Sequence, residues 1–181
     1  MRKVYLIRHG LPDFPGGKGM CLGTTDIPLG EKGLAQAAEM AKCLPPVTAV
    51  YSSPLKRAVQ TAQAIGMPVV ILDGLREMHA GKWDGLTFDQ IRQQYPELYA
   101  VRGLDQTMLP PGAEDAEVAL VRFREDLQRA AAEAPGDFAV VAHGGIIAKY
   151  LQSLTGVWKK PDYIQVISLL WEDGSFLPPE F

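Results

Sequence analysis

The chain has 181 residues, 47% of them hydrophobic and 22% charged, which fits one domain of ordinary size and excludes a disordered polypeptide. Its 18 basic and 21 acidic side chains leave a net charge of −3, so there is no whole-molecule attraction to nucleic acid or to an anionic membrane. Two cysteines, Cys21 and Cys43, are too few for a disulfide framework or a Cys-rich zinc site, and no apolar run approaches the ~18 residues of a membrane span.

Met1-Arg2-Lys3 is followed by only Val4-Tyr5-Leu6-Ile7 before Arg8. That is too short for a secretory signal, so a soluble, reduced, cytosolic setting is expected. The same four residues read as a buried strand ended by Gly10. Residues 11–30, rich in Gly and Pro, form a long loop. Leu34, Ala37, Ala38, Ala41 and Leu44 recur at helical spacing and predict a helix over 31–44, closed by Pro45-Pro46. A second strand follows over 47–51. Ser53 then stands as an N-cap ahead of Pro54, and Leu55, Ala58, Ala62 and Ile65 mark one face of the next helix. A third strand covers 69–72.

Residues 73–113 are mixed, with a short helix near 88–95 and a break at Pro110-Pro111-Gly112. They read as a small cap-like insertion. A long helix is predicted over 114–134, a fourth strand over 138–142, a helix over 146–154 and a fifth strand over 164–171. Glu172-Asp173-Gly174 suggests a hairpin into a short last strand, with Pro178 at an edge or end. Strands with continuous apolar runs alternate with helices. The fold expected is therefore α/β, a mostly parallel sheet with helices on both faces. Ligands of such sheets sit at the carboxyl ends of the strands.

Three strands end there in polar groups: Arg8-His9-Gly10, Ser52-Ser53-Pro54 with Arg57 one turn on, and His143-Gly144-Gly145. Arginine offers a permanently charged fork that fits phosphate oxygens. Neutral imidazole is a nucleophile near pH 7 that can carry a phosphoryl group. The helices after Ser53 and His143 would add N-terminal N–H donors for an anion. Glu77, just after the third strand, is the candidate proton donor to a leaving alcohol.

The set Leu6-Ile7-Arg8-His9-Gly10, Thr25 to Leu29, Ser52 to Ala58 with Thr61-Ala62, Glu77 to Gly85 and Val141 to Gly145 resembles the histidine phosphatase superfamily, the phosphoglycerate mutase-like fold. The resemblance spans residues 4 to about 150. It implies a single histidine phosphatase domain with His9 as the phosphorylated nucleophile, Arg8, Arg57 and His143 as the phosphate pocket, and Glu77 as acid and then base. It also implies no metal and no organic cofactor. Gly144 and Thr24 are further expected substrate contacts. Leu11 to Gly17 departs from the acidic residue and Asn that many members carry after the first motif, and His79 is an extra histidine in the Glu77 segment.

Chain length argues against the longer mutases and for water as acceptor, hence a phosphomonoester hydrolase acting on a small phosphorylated metabolite. Cys21 to Leu29 looks like the matching loop of alpha-ribazole phosphatases, which act in cobalamin assembly. The alternatives are a mutase-type phosphotransferase, a phosphohistidine protein phosphatase and a non-catalytic phosphate-binding module. Lys18, Lys82 and Arg102 are candidate cap cations, each more simply read as a solvated charge. Oligomeric state is not encoded in any of these motifs.

Overall fold

The computed structural model describes residues 1–177; the end expected at Pro178 lies outside them. The strands are β1 Arg2–Arg8, β2 Ala49–Ser52, β3 Val69–Ile71, β4 Phe138–Ala142, β5 Val166–Glu172 and β6 Ser175–Leu177. The helices are α1 Glu31–Cys43, α2 Lys56–Gln63, α3 Phe88–Gln94, α4 Pro96–Leu104, α5 Ala116–Glu133 and α6 Gly144–Thr155. The strands form one sheet in the order β3-β2-β4-β1-β5-β6. The first four are mutually parallel, while β5 runs antiparallel to β1 and β6 antiparallel to β5.

Alternation along the central strands divides the core into two layers. Val4, Leu6, Phe138 and Val140 face Phe123 and Leu127 of α5 and Ile147 and Tyr150 of α6. Tyr5, Ile7, Ala139 and Val141 face Met40 of α1 and Ala58 and Ala62 of α2. β4 lies between β1 and β2 and all five of its residues are buried, which is why Phe-Ala-Val-Val-Ala carries no polar residue.

Where the structure departs from the sequence reading, a local reason is visible. The second helix starts at Lys56, with Leu55 at its N-cap. Ser53 lies two residues ahead of that cap: its Oγ accepts from Leu55 N–H at 3.3 Å and meets His143 Nε2, while its N–H continues the sheet by donating to the Val141 carbonyl at 3.0 Å. The helix of 114–134 contracts to Ala116–Glu133, since Asp115 accepts from Glu117 and Val118 N–H and caps it. α4 was not predicted. None of its residues is fully buried, so the apolar Leu98, Val101 and Leu104 do not mark a core-facing side. The expected strand at 164 begins at Val166, because Ile164 adopts φ 64°, a backbone region that β-branched residues strongly disfavour.

Phe123 is fully buried between α5, α6 and the sheet. Phe123→Ala should lower unfolding free energy by roughly 3–5 kcal/mol. In urea titration this appears as a lower midpoint with unchanged slope.

Candidate active site

The parallel register brings three strand ends level. Arg8 pairs with Ala142, and Ser52 with Val141. One residue further on, His9 N–H donates to the Ala142 carbonyl at 3.1 Å. His9, Ser53 and His143 therefore leave the sheet side by side, although 90 residues separate Ser53 from His143. The imidazole rings of His9 and His143 lie 5.0 Å apart between centroids.

His9 is only 5% exposed. Its Nδ1 is 2.7 Å from the Gly10 carbonyl. A carbonyl only accepts, so Nδ1 carries the proton and Nε2 keeps its lone pair. Gly10 is itself fixed: its N–H donates to Thr61 Oγ1 at 3.0 Å, and that hydroxyl donates to the Arg57 carbonyl at 2.7 Å. On His143, wholly buried, Nε2 lies 2.7 Å from Ser53 Oγ.

The two arginines are held by carbonyls. Arg57 is completely buried and donates to Thr25 O at 2.8 Å and Gly23 O at 2.9 Å. Asp84 fixes that loop in turn, accepting from the N–H groups of Gly23, Thr24 and Thr25 and from Thr24 Oγ1. Arg8 donates to Pro161 O at 2.7 Å and lies over the Tyr163 ring, 3.7 Å from its centroid, a cation–π contact worth about 0.5–2 kcal/mol. Among the described residues, three shielded nitrogens of this cluster have no hydrogen-bond partner: Arg8 Nε, Arg57 Nε and His143 Nδ1.

Glu77 joins the same edge by a route the sequence does not suggest. Its Oε2 accepts from Gly145 N–H and its Oε1 from Ile146 N–H, both at 2.8 Å, and Met78 N–H donates to Oε1 at 3.0 Å. Arg122 braces the segment through the carbonyls of Gly74, Arg76 and Glu77 while pairing with Glu114. The expectation that both helix N-termini await an external anion is therefore corrected. Glu77 occupies the α6 terminus, and Asp26 accepts from Lys56 N–H at the α2 terminus at 2.7 Å. The charge preference of helix N-termini is met from within the chain.

The structure thus gathers Arg8, His9, Arg57, Glu77 and His143. Gly144 sits against Arg8 and Lys160: a Cβ there would lie 3.0 Å from Arg8 Nε and 2.6 Å from Lys160 Cε. Thr24 has both its N–H and its hydroxyl turned to Asp84, so its visible task is to hold the Arg57 loop. Lys18 and Lys82 are exposed. His79 is exposed, and its Nδ1 accepts from Gly81 N–H. Leu11 to Gly17 runs through a bridge from Pro12 to Leu29 into a short turn over Pro15–Gly17. Sequence reasoning did not single out Lys160, Tyr163 or Arg122. The loop before β5 carries no motif, and Arg122 lies outside the apolar stripe of α5.

Beside Glu77 lies a cavity of about 440 Å³. Its apolar wall includes Met20, Leu22, Trp83, Phe88, Tyr99 and Trp158, and Arg102 and Lys160 also line it. Among the described residues, no group of three or more His, Cys, Asp or Glu could hold a metal ion.

Burial pushes His9 well below the usual imidazole range. The charge of Arg57 adds to this, the Gly10 bond opposes it and is outweighed, and Arg8 and Lys160 push further down. His143 is lowered by burial first, then by Arg57, His9 and Arg8. Both rings are neutral near pH 7. Unfolded histidine titrates near ~6.5, so below that pH the unfolded chain binds protons that the folded chain refuses. Their contribution is complete above about pH 6.5 and is lost as pH falls toward the depressed folded values, at up to roughly 2.7 kcal/mol per pH unit for two sites. Burial raises Asp84 and Glu114, but hydrogen bonds from Thr25, Thr24 and Gly23 to the first, and from Arg122 to the second, outweigh it and hold both low. Their effect falls near and below ~pH 4. Urea titrations at pH 7, 6 and 5 should show a steep stability loss in wild type that is largely absent in a His9→Asn/His143→Asn double variant. Parallel slopes would exclude the two histidines as its source.

The sequence profile of the histidine phosphatase superfamily (branch 1) matches residues 4–169. A glucosyl-3-phosphoglycerate phosphatase of Mycolicibacterium vanbaalenii is 33% identical over 174 residues, covering 87% of this chain and 76% of the relative. Phosphoglycerate mutase-like protein 4 of Arabidopsis thaliana is 33% identical over 156 residues, covering 80% and 67%. Among solved structures, the mycobacterial glucosyl-3-phosphoglycerate phosphatase complexed with VO3 superposes with TM-score 0.83 at 30% identity, over 94% of this chain and 93% of that one. The alpha-ribazole phosphatase of Shigella flexneri reaches TM-score 0.79 over 97% and 94%, but its 23% identity speaks for the fold alone. A superfamily match across nearly the whole chain, on a sheet of this order with these side chains at its carboxyl edge, shows that the chain belongs to the histidine phosphatase superfamily.

Proposed function

We propose that the protein hydrolyses phosphomonoesters of small metabolites through a phosphohistidine at His9, in the cytoplasm and without metal or organic cofactor. The carrying observation is the fixed tautomer of His9. Its Nδ1–H is committed to Gly10, so Nε2 keeps its lone pair in a cluster that holds the unpartnered Nε–H groups of Arg8 and Arg57 and the unpartnered Nδ1 of His143. A buried donor without a partner is costly, and phosphate oxygens are acceptors only. An incoming phosphoryl group relieves that cost and places phosphorus at the nucleophile.

In the first step Nε2 attacks phosphorus and the bond to the ester oxygen breaks. The two arginines and His143 hold the equatorial oxygens, where charge develops. Glu77 gives its proton to the departing alkoxide. In the second step Glu77 takes a proton from water, the hydroxide attacks phosphorus, and the P–N bond breaks to release phosphate and restore His9. The segment over 73–113 serves as a cap, and its cavity takes the leaving group. At about 440 Å³ the cavity falls within the ~300–1,000 Å³ of small-molecule pockets. The substrate panel therefore includes glucosyl-3-phosphoglycerate, the substrate in the names of the relatives at 33–34% identity, and alpha-ribazole 5'-phosphate, suggested by the Cys21 to Leu29 loop.

Acid-quenched wild type should retain labelled phosphate in an acid-labile, base-stable form. His9→Ala should bind phosphate yet show neither label nor turnover. Full activity in His9→Ala would end the proposal. For Glu77, general acid assistance contributes roughly 10²–10⁴-fold for a poor leaving group and little for nitrophenolate. Glu77→Gln should slow the burst phase of an alkyl phosphate far more than that of p-nitrophenyl phosphate. The burst isolates the first step from the dephosphorylation that also uses Glu77. Equal losses for the two esters would remove Glu77 from the acid role.

A further inference from the structure

Two cations enter the cavity beside Glu77 without a carboxylate to meet them. Arg102 comes from α4 and Lys160 from the loop between α6 and β5, and both line the apolar wall. Among the described residues neither makes an ion pair. Glu77 is the single acid in that wall, and both its oxygens already accept backbone N–H groups. One terminal nitrogen of Arg102 donates to the carbonyls of Gln106 and Met108, which fixes the guanidinium at the end of α4 and leaves its other N–H groups uncommitted.

Lys160 is exposed to solvent, and its stem packs against Gly144 and so against the Arg8 side of the phosphate cluster. Protein crowding lowers its pKa, Glu77 opposes the shift, and Arg8 and Arg102 add to it. Arg102 is likewise lowered by burial. Two like charges therefore share one largely apolar wall, where an entering anion would be attracted by both.

We propose that this cavity selects phosphomonoesters whose leaving alcohol carries a second anionic oxygen group, a carboxylate or a second phosphate, held between Arg102 and Lys160. The proposal rests on the hydrolase reading above and narrows its substrate class. Lys160 stands at the boundary between the phosphate cluster and the cavity, and Arg102 stands on the inserted segment. The pair therefore reads the substrate from both sides of the mouth.

The test uses one scaffold. Phenyl phosphate, 4-carboxyphenyl phosphate and 1,4-phenylene bisphosphate differ only in the second group, and kcat/KM is measured for each with wild type, Arg102→Gln and Lys160→Gln. Wild type should favour at least one anion-bearing ester over phenyl phosphate by about tenfold or more, and each variant should bring that ratio to within about twofold. A ratio taken on one preparation is independent of how much of the variant has folded. Preference for the carboxylate assigns an acid substrate and preference for the bisphosphate assigns a doubly phosphorylated one, and either supports the proposal. Hydrolysis without anion preference, or a preference that both variants retain, overturns it and leaves the hydrolase reading standing. Failure to hydrolyse any of the three overturns both.

Discussion

Arg57 is a guanidinium with no exposed surface, and among the described residues it makes no ion pair. Burying such a charge is affordable only when its hydrogens are met by well-placed acceptors. The acceptors are the carbonyls of Gly23 and Thr25, so the long loop over 11–30 must wrap back over the sheet edge. That loop is irregular and supplies its own unsatisfied N–H groups. Asp84, from the inserted segment, takes three of them. The carbonyl of Arg57 also accepts from Thr61, which holds Gly10, which sets the proton on His9. One buried cation thus ties the loop, the segment around Asp84 and the tautomer of His9 into a single arrangement.

The same field serves two ends. Positive charge from Arg8 and Arg57, added to burial, holds His9 and His143 neutral. In the proposed reaction a neutral His9 supplies the lone pair that attacks phosphorus, and the guanidinium groups that keep it neutral attract the dianion, so nucleophile activation and substrate binding rise and fall together. Either arginine lost would weaken binding and also let the imidazoles take protons more readily.

The site was legible because strand ends announce themselves: a buried apolar run that stops in Arg8-His9-Gly10 or His143-Gly144-Gly145 has its polar residues at the ligand edge by topology alone. The helices that cover the core were equally plain from their apolar faces. What could not be read was anything decided by partners far along the chain. Ser53 looked like a cap because sequence shows its neighbours, while its position is set by Val141 and His143. α4 gave no core signal because none of its residues is fully buried, although Tyr99 lies against Trp83. Lys160 and Tyr163 lie in a loop without periodicity, and their significance comes from a turn in which Ile164 has φ 64°. A β-branched residue in that region costs about 1–3 kcal/mol and persists where the surroundings over-determine it. Here Ile164 N–H donates to the Arg8 carbonyl at 3.0 Å while Pro161 and Tyr163 grip the Arg8 side chain.

The two glycines after His143 show how closely the parts are fitted. They look interchangeable in the sequence, yet each answers a different neighbour. A Cβ on Gly144 would press on Arg8 Nε and on Lys160, whereas one on Gly145 would lie 2.9 Å from Glu77 Oε1. The first absence lets the phosphate cluster and the cavity mouth share a wall, and the second lets Glu77 reach the start of α6. Because His143 is the N-cap of that helix, the ring that faces His9 and the peptides that hold Glu77 are set by consecutive residues. His9, His143 and Glu77 are therefore positioned relative to one another by the end of β4, the most deeply buried strand of the sheet.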